Sequence, residues 1–157
     1  MPTAQRTRTF AASPGQLWDV VGDPHHLPRW WPRVQRVEAV GEEDFTQVLM
    51  SEKGKMVRAD FKLLDVVAER RVVWAQQIEG TPFARVLKSA ETEIAIVEAS
   101  AGEGEGEGDA TVVTIELRQS LQGVLARLGG RLVRRAAHST IEEALDGLER
   151  IVGGGSK

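Results

Sequence analysis

The chain has 157 residues, 41% hydrophobic and 27% charged, with a formal net charge of −3. That size and balance predict one globular domain over residues 1–152 with a flexible tail at 153–157. The pI near 5.7 argues against a nucleic-acid-binding face, and the absence of cysteine excludes disulfides, thiol catalysis and cysteine–metal sites. No apolar run approaches the roughly 18 residues of a membrane span. The polar start MPTAQRTRT does not read as a signal peptide. The expected location is therefore the cytoplasm, without stable membrane insertion.

A first strand is predicted over residues 5–12, with Phe10 and Ala12 on one face. Ser13 before Pro14 is a helix start, because serine can cap free amides and proline suits the first helical position. Leu17, Trp18 and Val21 form the apolar side of a two-turn helix. Gly22-Asp23-Pro24 ends it, with the glycine expected in a left-handed conformation. Pro28 and Pro32 bracket Trp30 and Trp31 and leave room for a helical turn at most. A second strand at 34–40 and a third at 45–51 flank a turn at 41–44. Gly54 offers a positive φ in the next turn.

The fourth strand, 56–64, alternates cleanly. Val57, Ala59, Phe61 and Leu63 fall on one side, Arg58, Asp60 and Lys62 on the other. The fifth groups Val72, Trp74, Gln76 and Ile78, and Gly80-Thr81-Pro82 turns the chain. A sixth strand is predicted over 83–99, with Val86, Ala90, Thr92, Ile94 and Ile96 inward and a bend or bulge within it. GEGEGEGD at 102–109 reads as a flexible solvated loop, lacking the ligand pattern of a calcium site. Thr111, Val113, Ile115 and Leu117 alternate as a seventh strand. A helix is predicted from about 121 to 152, with a break or close packing at Gly129-Gly130. Val133, Ala137, Ile141, Ala144, Leu148 and Ile151 form its buried stripe; Glu142, Glu143, Asp146 and Glu149 cover the far side. One strand, short helices, a run of strands and a long helix make an α+β arrangement.

The segment A-x-P-x-x-x-W from Ala12 to Trp18, then Asp23-Pro24, then L-P-x-W-x-P-x-V from Leu27 to Val34 resembles the START-like (SRPBCC) superfamily. Within it, the similarity is to the polyketide cyclase/dehydrase-like group. The resemblance implies a helix-grip fold: a curved seven-stranded antiparallel sheet around a long C-terminal helix, two short helices after the first strand, and a cavity between sheet and helix. Gly80-Thr81-Pro82-Phe83 resembles the glycine-proline-phenylalanine turn of aromatase/cyclases. Their cavity arginine has no inward basic counterpart here, and the chain contains no tyrosine.

Familiar catalytic patterns are missing from the sequence: there is no G-x-S-x-G elbow, Walker A loop or dinucleotide fingerprint. No cofactor is expected. His25 and His26 lack metal-ligand spacing and read as a polar loop near a cavity mouth. The candidate cavity residues begin with Trp30, Trp31 and Trp74, which suit an aromatic wall or a packed core. From the strands come Val57, Ala59, Phe61, Ile94, Val113 and Ile115, with Gln76 as the polar residue among inward neighbours. Lys88 shares phase with Val86 and Ala90, an assignment a bulge would reverse. The helix offers Arg134, Ala137 and Ile141, with His138 at the stripe's edge as a boundary residue or a hydrogen-bond donor.

The expected function is binding of a hydrophobic small molecule, such as a lipid, polyketide or isoprenoid, in that cavity by a monomer or homodimer. The alternatives are a polyketide cyclase/dehydratase, which needs an inward cation or acid–base pair, and a protein-interaction module, which needs an exposed patch.

Overall fold

A computed structural model describes residues 3–51, 53–99, 110–123, 126 and 130–153. Seven strands form one antiparallel sheet: β1 (Thr3–Phe10), β2 (Val34–Glu38), β3 (Asp44–Met50), β4 (Met56–Val67), β5 (Arg71–Gln76), β6 (Leu87–Glu98) and β7 (Thr111–Leu121). Their spatial order is β1-β7-β6-β5-β4-β3-β2. Strands β2 to β7 thus form a continuous meander, and β1 closes onto β7 at the far edge. Two short helices, α1 (Pro14–Val21) and α2 (Leu27–Trp30), carry the chain from one edge to the other. The long helix α3 (Gly130–Val152) packs against β1, β7 and α2. No described helix is long and apolar enough to cross a membrane.

The α1 start is a complete capping box. Ser13 Oγ accepts from the Gln16 amide at 3.1 Å, and Gln16 Oε1 accepts from the Ser13 amide at 2.8 Å. Its buried face is Leu17, Val20 and Val21, while Trp18 is only half-buried. Gly22 has φ −79°, not the left-handed value expected. An added Cβ there would stand 2.5 Å from the Trp18 indole, which would have to move. Asp23 then caps a 3-10 turn over Pro24–His26, accepting from the His25 amide at 3.0 Å.

Two element boundaries differ most from expectation. Pro82–Arg85 is a 3-10 turn capped by the Thr81 hydroxyl, so β6 begins only at Leu87 and Val86 is 38% exposed. Alternation alone does not separate such a turn from a strand. At the other end, Leu121 belongs to β7, paired with Leu87, and α3 starts at Gly130. The loop at 102–109 and the tail at 154–157 lie outside the described residues.

The core lies between the sheet's inner face and α3. Phe10, Leu17, Phe45, Ile94, Ile115, Ile141 and Leu148 are at most 1% exposed. Each such side chain stabilises the fold by about 1.5–3 kcal/mol relative to exposure. The carboxylates of α3 are not simply solvated. Arg8 on β1 reaches Glu142, Asp146 and Glu149 at 3.0, 2.8 and 2.9 Å, fastening the edge strand to the helix.

Candidate functional site

Cross-strand register assembles the inner wall of a cleft between the sheet and the first turns of α3. Phe45 pairs with Phe61, and Phe61 with Gln76. In the adjacent row Trp74 pairs with Thr92, and Thr92 with Leu117. Because side chains alternate across a sheet, paired residues share a face, and these rows project towards α3. Val133, Ala136, Ala137 and Thr140 complete the opposite wall. The cleft has a volume of about 290 Å³.

Trp31 borders the cleft. It caps α2, and Arg33, at φ 71°, turns the chain into β2 immediately after it. The α2 backbone is seated on α3 at Gly147, where a Cβ would stand 2.4 Å from the Trp30 carbonyl oxygen. The rings then form an edge-to-face chain. Trp30–Trp31 centroids lie 5.4 Å apart at 85°, Trp31–Trp74 5.8 Å at 72°, and Phe45–Trp74 5.9 Å at 84°. Phe45 and Phe61 stack at 5.4 Å. Such pairs add about 0.5–1.5 kcal/mol each beyond area burial and fix ring orientation.

The polar lining is mostly neutral: Gln47, Gln76, Thr92, Gln119 and Thr140. Gln47 and Thr92 are 3% and 8% exposed. The Gln76 Nε2 is buried with no hydrogen-bond partner among the described residues, as is the Trp30 indole N–H. Glu91 also borders the cleft, but its carboxylate accepts from Arg118 at 3.2 Å. Arg118 also donates to Glu93 and Glu116. Partial desolvation works against its charge, but these hydrogen bonds and the surrounding carboxylates outweigh it and raise its pKa above the ordinary value. A larger hollow of about 580 Å³ lies under Pro14 at the β4–β5 turn, outside the space between sheet and helix.

Of the residues expected at the cavity, Trp31, Phe61, Trp74, Gln76 and Ala137 line the cleft. Trp30, Ala59, Ile94, Val113, Ile115 and Ile141 are buried in the packing around it, and Val57 is half-buried on β4. Lys88 is exposed, because the register shifts between Leu87 and Ser89 and reverses its phase. Arg134 and His138 are turned away, onto the outer side of α3. Gln47 and Gln119 line the cleft without having been expected there. The signal is present, since Gln47 shares phase with Phe45 and Gln119 with Leu117. His25 Nδ1 lies 2.9 Å from Asp23 at an exposed turn. No group of three or more metal-ligating side chains occurs among the described residues.

Residues 1–153 match the model of a family described as polyketide cyclase/dehydrase and lipid transport. The chain belongs to this family. Its START-like fold is similar to that of a START superfamily protein from Mycobacterium smegmatis, with a TM-score of 0.74, 16% identity and 97% coverage of each chain. A protein from Thermus thermophilus aligns with a TM-score of 0.71 and 22% identity over 96% of this chain and 97% of that one. The di-domain ARO/CYC BexL of the BE-7585A biosynthetic pathway gives 0.72 and 16%, covering 96% of this chain and 46% of its own. At these identities the likeness is one of fold. A search of curated proteins gave no match. Within the START-like fold, the aromatic cleft occupies the space the helix grip leaves between sheet and helix.

Proposed function

We propose that this START-like domain holds a compact hydrophobic molecule bearing a hydrogen-bond acceptor, in the cleft between the sheet and α3. The observation that carries the reading is the buried Gln76 amide, unpartnered among the described residues, on a cleft wall it shares with Phe61 and Trp74. A buried donor of this kind is costly unless it is satisfied, and a ligand carbonyl or ether oxygen would satisfy it. The aromatic walls supply affinity through apolar burial, and Gln47, Thr92 and Gln119 supply orientation. At about 290 Å³ the cleft sits at the small end of ligand pockets, which run from about 300 to 1,000 Å³. A small lipid, polyketide or isoprenoid fits this reading better than a two-chain phospholipid.

Native mass spectrometry of the purified protein, with extraction of what co-purifies, is the direct test. A stoichiometric apolar compound is expected, and Gln76→Leu should weaken binding of a carbonyl-bearing compound by roughly tenfold, the scale of one hydrogen bond. An empty protein that also fails to bind a hydrophobic fluorescent dye overturns the reading.

Cyclase/dehydratase chemistry is the second reading, favoured by the family description and by the fold shared with BexL. It would proceed by holding a polyketide chain in a reactive fold and polarising its carbonyls through Gln76 and the threonines. Against it stands the lining, whose one carboxylate, Glu91, is engaged by Arg118. Turnover of a poly-β-keto thioester that is lost in Gln76→Leu would favour this reading over simple carriage.

A further inference from the structure

The outer side of α3 carries a stripe of cations that neither the fold nor the cleft employs. Arg131, Arg134, Arg135 and His138 stand at i, i+3, i+4 and i+7 of the helix. They therefore share one face over about 10 Å of its length. The three arginines are exposed and His138 is half-buried. With Arg6 and Leu132 they border a surface hollow of about 530 Å³. Arg6 is engaged by Glu142 at 3.2 Å. Among the described residues no carboxylate pairs with Arg131, Arg134, Arg135 or His138.

This arrangement opposes local helix energetics twice. Like charges at i and i+4 repel, and cations in the N-terminal half of a helix oppose its macrodipole. The C-terminal half is charged against the dipole as well, but there Arg8 compensates from β1. The basic half has no such compensation. Leu132, at its margin, is 67% exposed, more than any other large hydrophobic among the described residues. Guanidinium groups match phosphate oxygens, and an exposed leucine beside them suits the acyl boundary. A stripe spread along two turns also suits a surface better than a single soluble phosphate, which needs converging donors.

We propose that this face of α3 docks the domain peripherally on an anionic phospholipid surface. The inference rests on the charge and exposure of the helix, whatever fills the cleft. The opposite side of the same turns, Val133, Ala136, Ala137 and Thr140, walls the cleft, so a docked domain holds its cavity one helix diameter from the bilayer.

The test is co-flotation of the full chain with vesicles of phosphatidylcholine, alone or mixed with phosphatidylglycerol. Binding is expected only to the mixed vesicles and should fall as salt rises. Combining Arg131→Gln, Arg134→Gln and Arg135→Gln should lower partitioning by about 100-fold, with unchanged circular dichroism showing that the fold is intact. Leu132→Ser should lower it several-fold without altering the salt dependence. Equal binding to neutral and mixed vesicles, or none to either, overturns the proposal. So does saturable binding of inorganic phosphate or glycerol phosphate by a protein that ignores the mixed vesicles, which would make the stripe a site for small anions. Because a hydrophobic dye can occupy the cleft without vesicles, failure of docking and failure of the cavity reading are separately visible.

Discussion

Gly147 shows how much one missing methyl group decides. It is buried in α3 with the Trp30 backbone against it, and an added Cβ would meet the Trp30 carbonyl oxygen at 2.4 Å. Backbone cannot rotate aside as a side chain can. Gly147→Ala should therefore destabilise the protein by about 1–2 kcal/mol in urea titration, overpacking outweighing the gain in helix propensity. Gly130, where an added Cβ would meet no described atom within 4 Å, provides the control, and Gly130→Ala should not destabilise. Asp23 carries a second residue-scale prediction. Partial desolvation would raise its pKa, but hydrogen bonds from the His25 amide and ring, and attraction to His25 and His26, lower it below the usual carboxylate range. A depressed native pKa means that stability is present above the unfolded value, near 4, and is lost as pH falls through the native one. Asp23→Ala should cost about 1 kcal/mol at neutral pH, the value of an N-cap. The gap to wild type should close in acid, which thermal melts across that range would show.

At the scale of elements, one side chain of β1 gathers three carboxylates of α3. Arg8 is 18% exposed and bridges Glu142, Asp146 and Glu149. Desolvation works against its charge, but hydrogen bonds and attraction from Asp146 and Glu149 keep its pKa above the ordinary value. Arg8→Gln would leave Asp146 and Glu149 without a counter-charge and Glu142 with Arg6 alone, on a helix face where the three stand at i, i+4 and i+7. A loss of about 1–2 kcal/mol at low ionic strength is expected, shrinking as salt screens the repulsion. Equal losses at low and high salt would mean that Arg8 acts by packing alone. Elements also show where periodicity fails. Val57, Ala59, Phe61 and Leu63 are legible on β4 because period two holds there, whereas Lys88 sits at an irregularity that flips phase. The length of the predicted strand calls for a bulge, but no local signal fixes its position, which answers to the partner strand β7.

For the whole molecule, the helix grip sets how a ligand and the fold share one core. Trp31 and Trp74, which line the cleft, also belong to a chain of packed rings that runs from buried Trp30 to buried Phe45. Occupancy should therefore register as stability. A neutral apolar ligand at about 100 times its Kd should add about 2.7 kcal/mol. That gain should be insensitive to salt, because the polar lining is largely uncharged. Melting of the protein with and without the co-purified compound, at low and high salt, checks both points.

The α+β class, the capping box at Ser13, the inward strand faces and the buried stripe of α3 follow from local chemistry. Capping needs only neighbouring residues, and burial on one face imprints a period of two or 3.6 on the sequence. The proline-punctuated tryptophan segment is specific enough to indicate the fold. What only the tertiary structure decided is which inward residues line space and which fill it. Trp30 and Trp31 are adjacent and alike in sequence, yet one is sealed under α3 by Gly147 while the other borders the cleft. Phase places a side chain on a face but does not say what stands opposite. That depends on where α2 and α3 cross the sheet, and on contacts such as Arg8 with Asp146, between residues 138 positions apart.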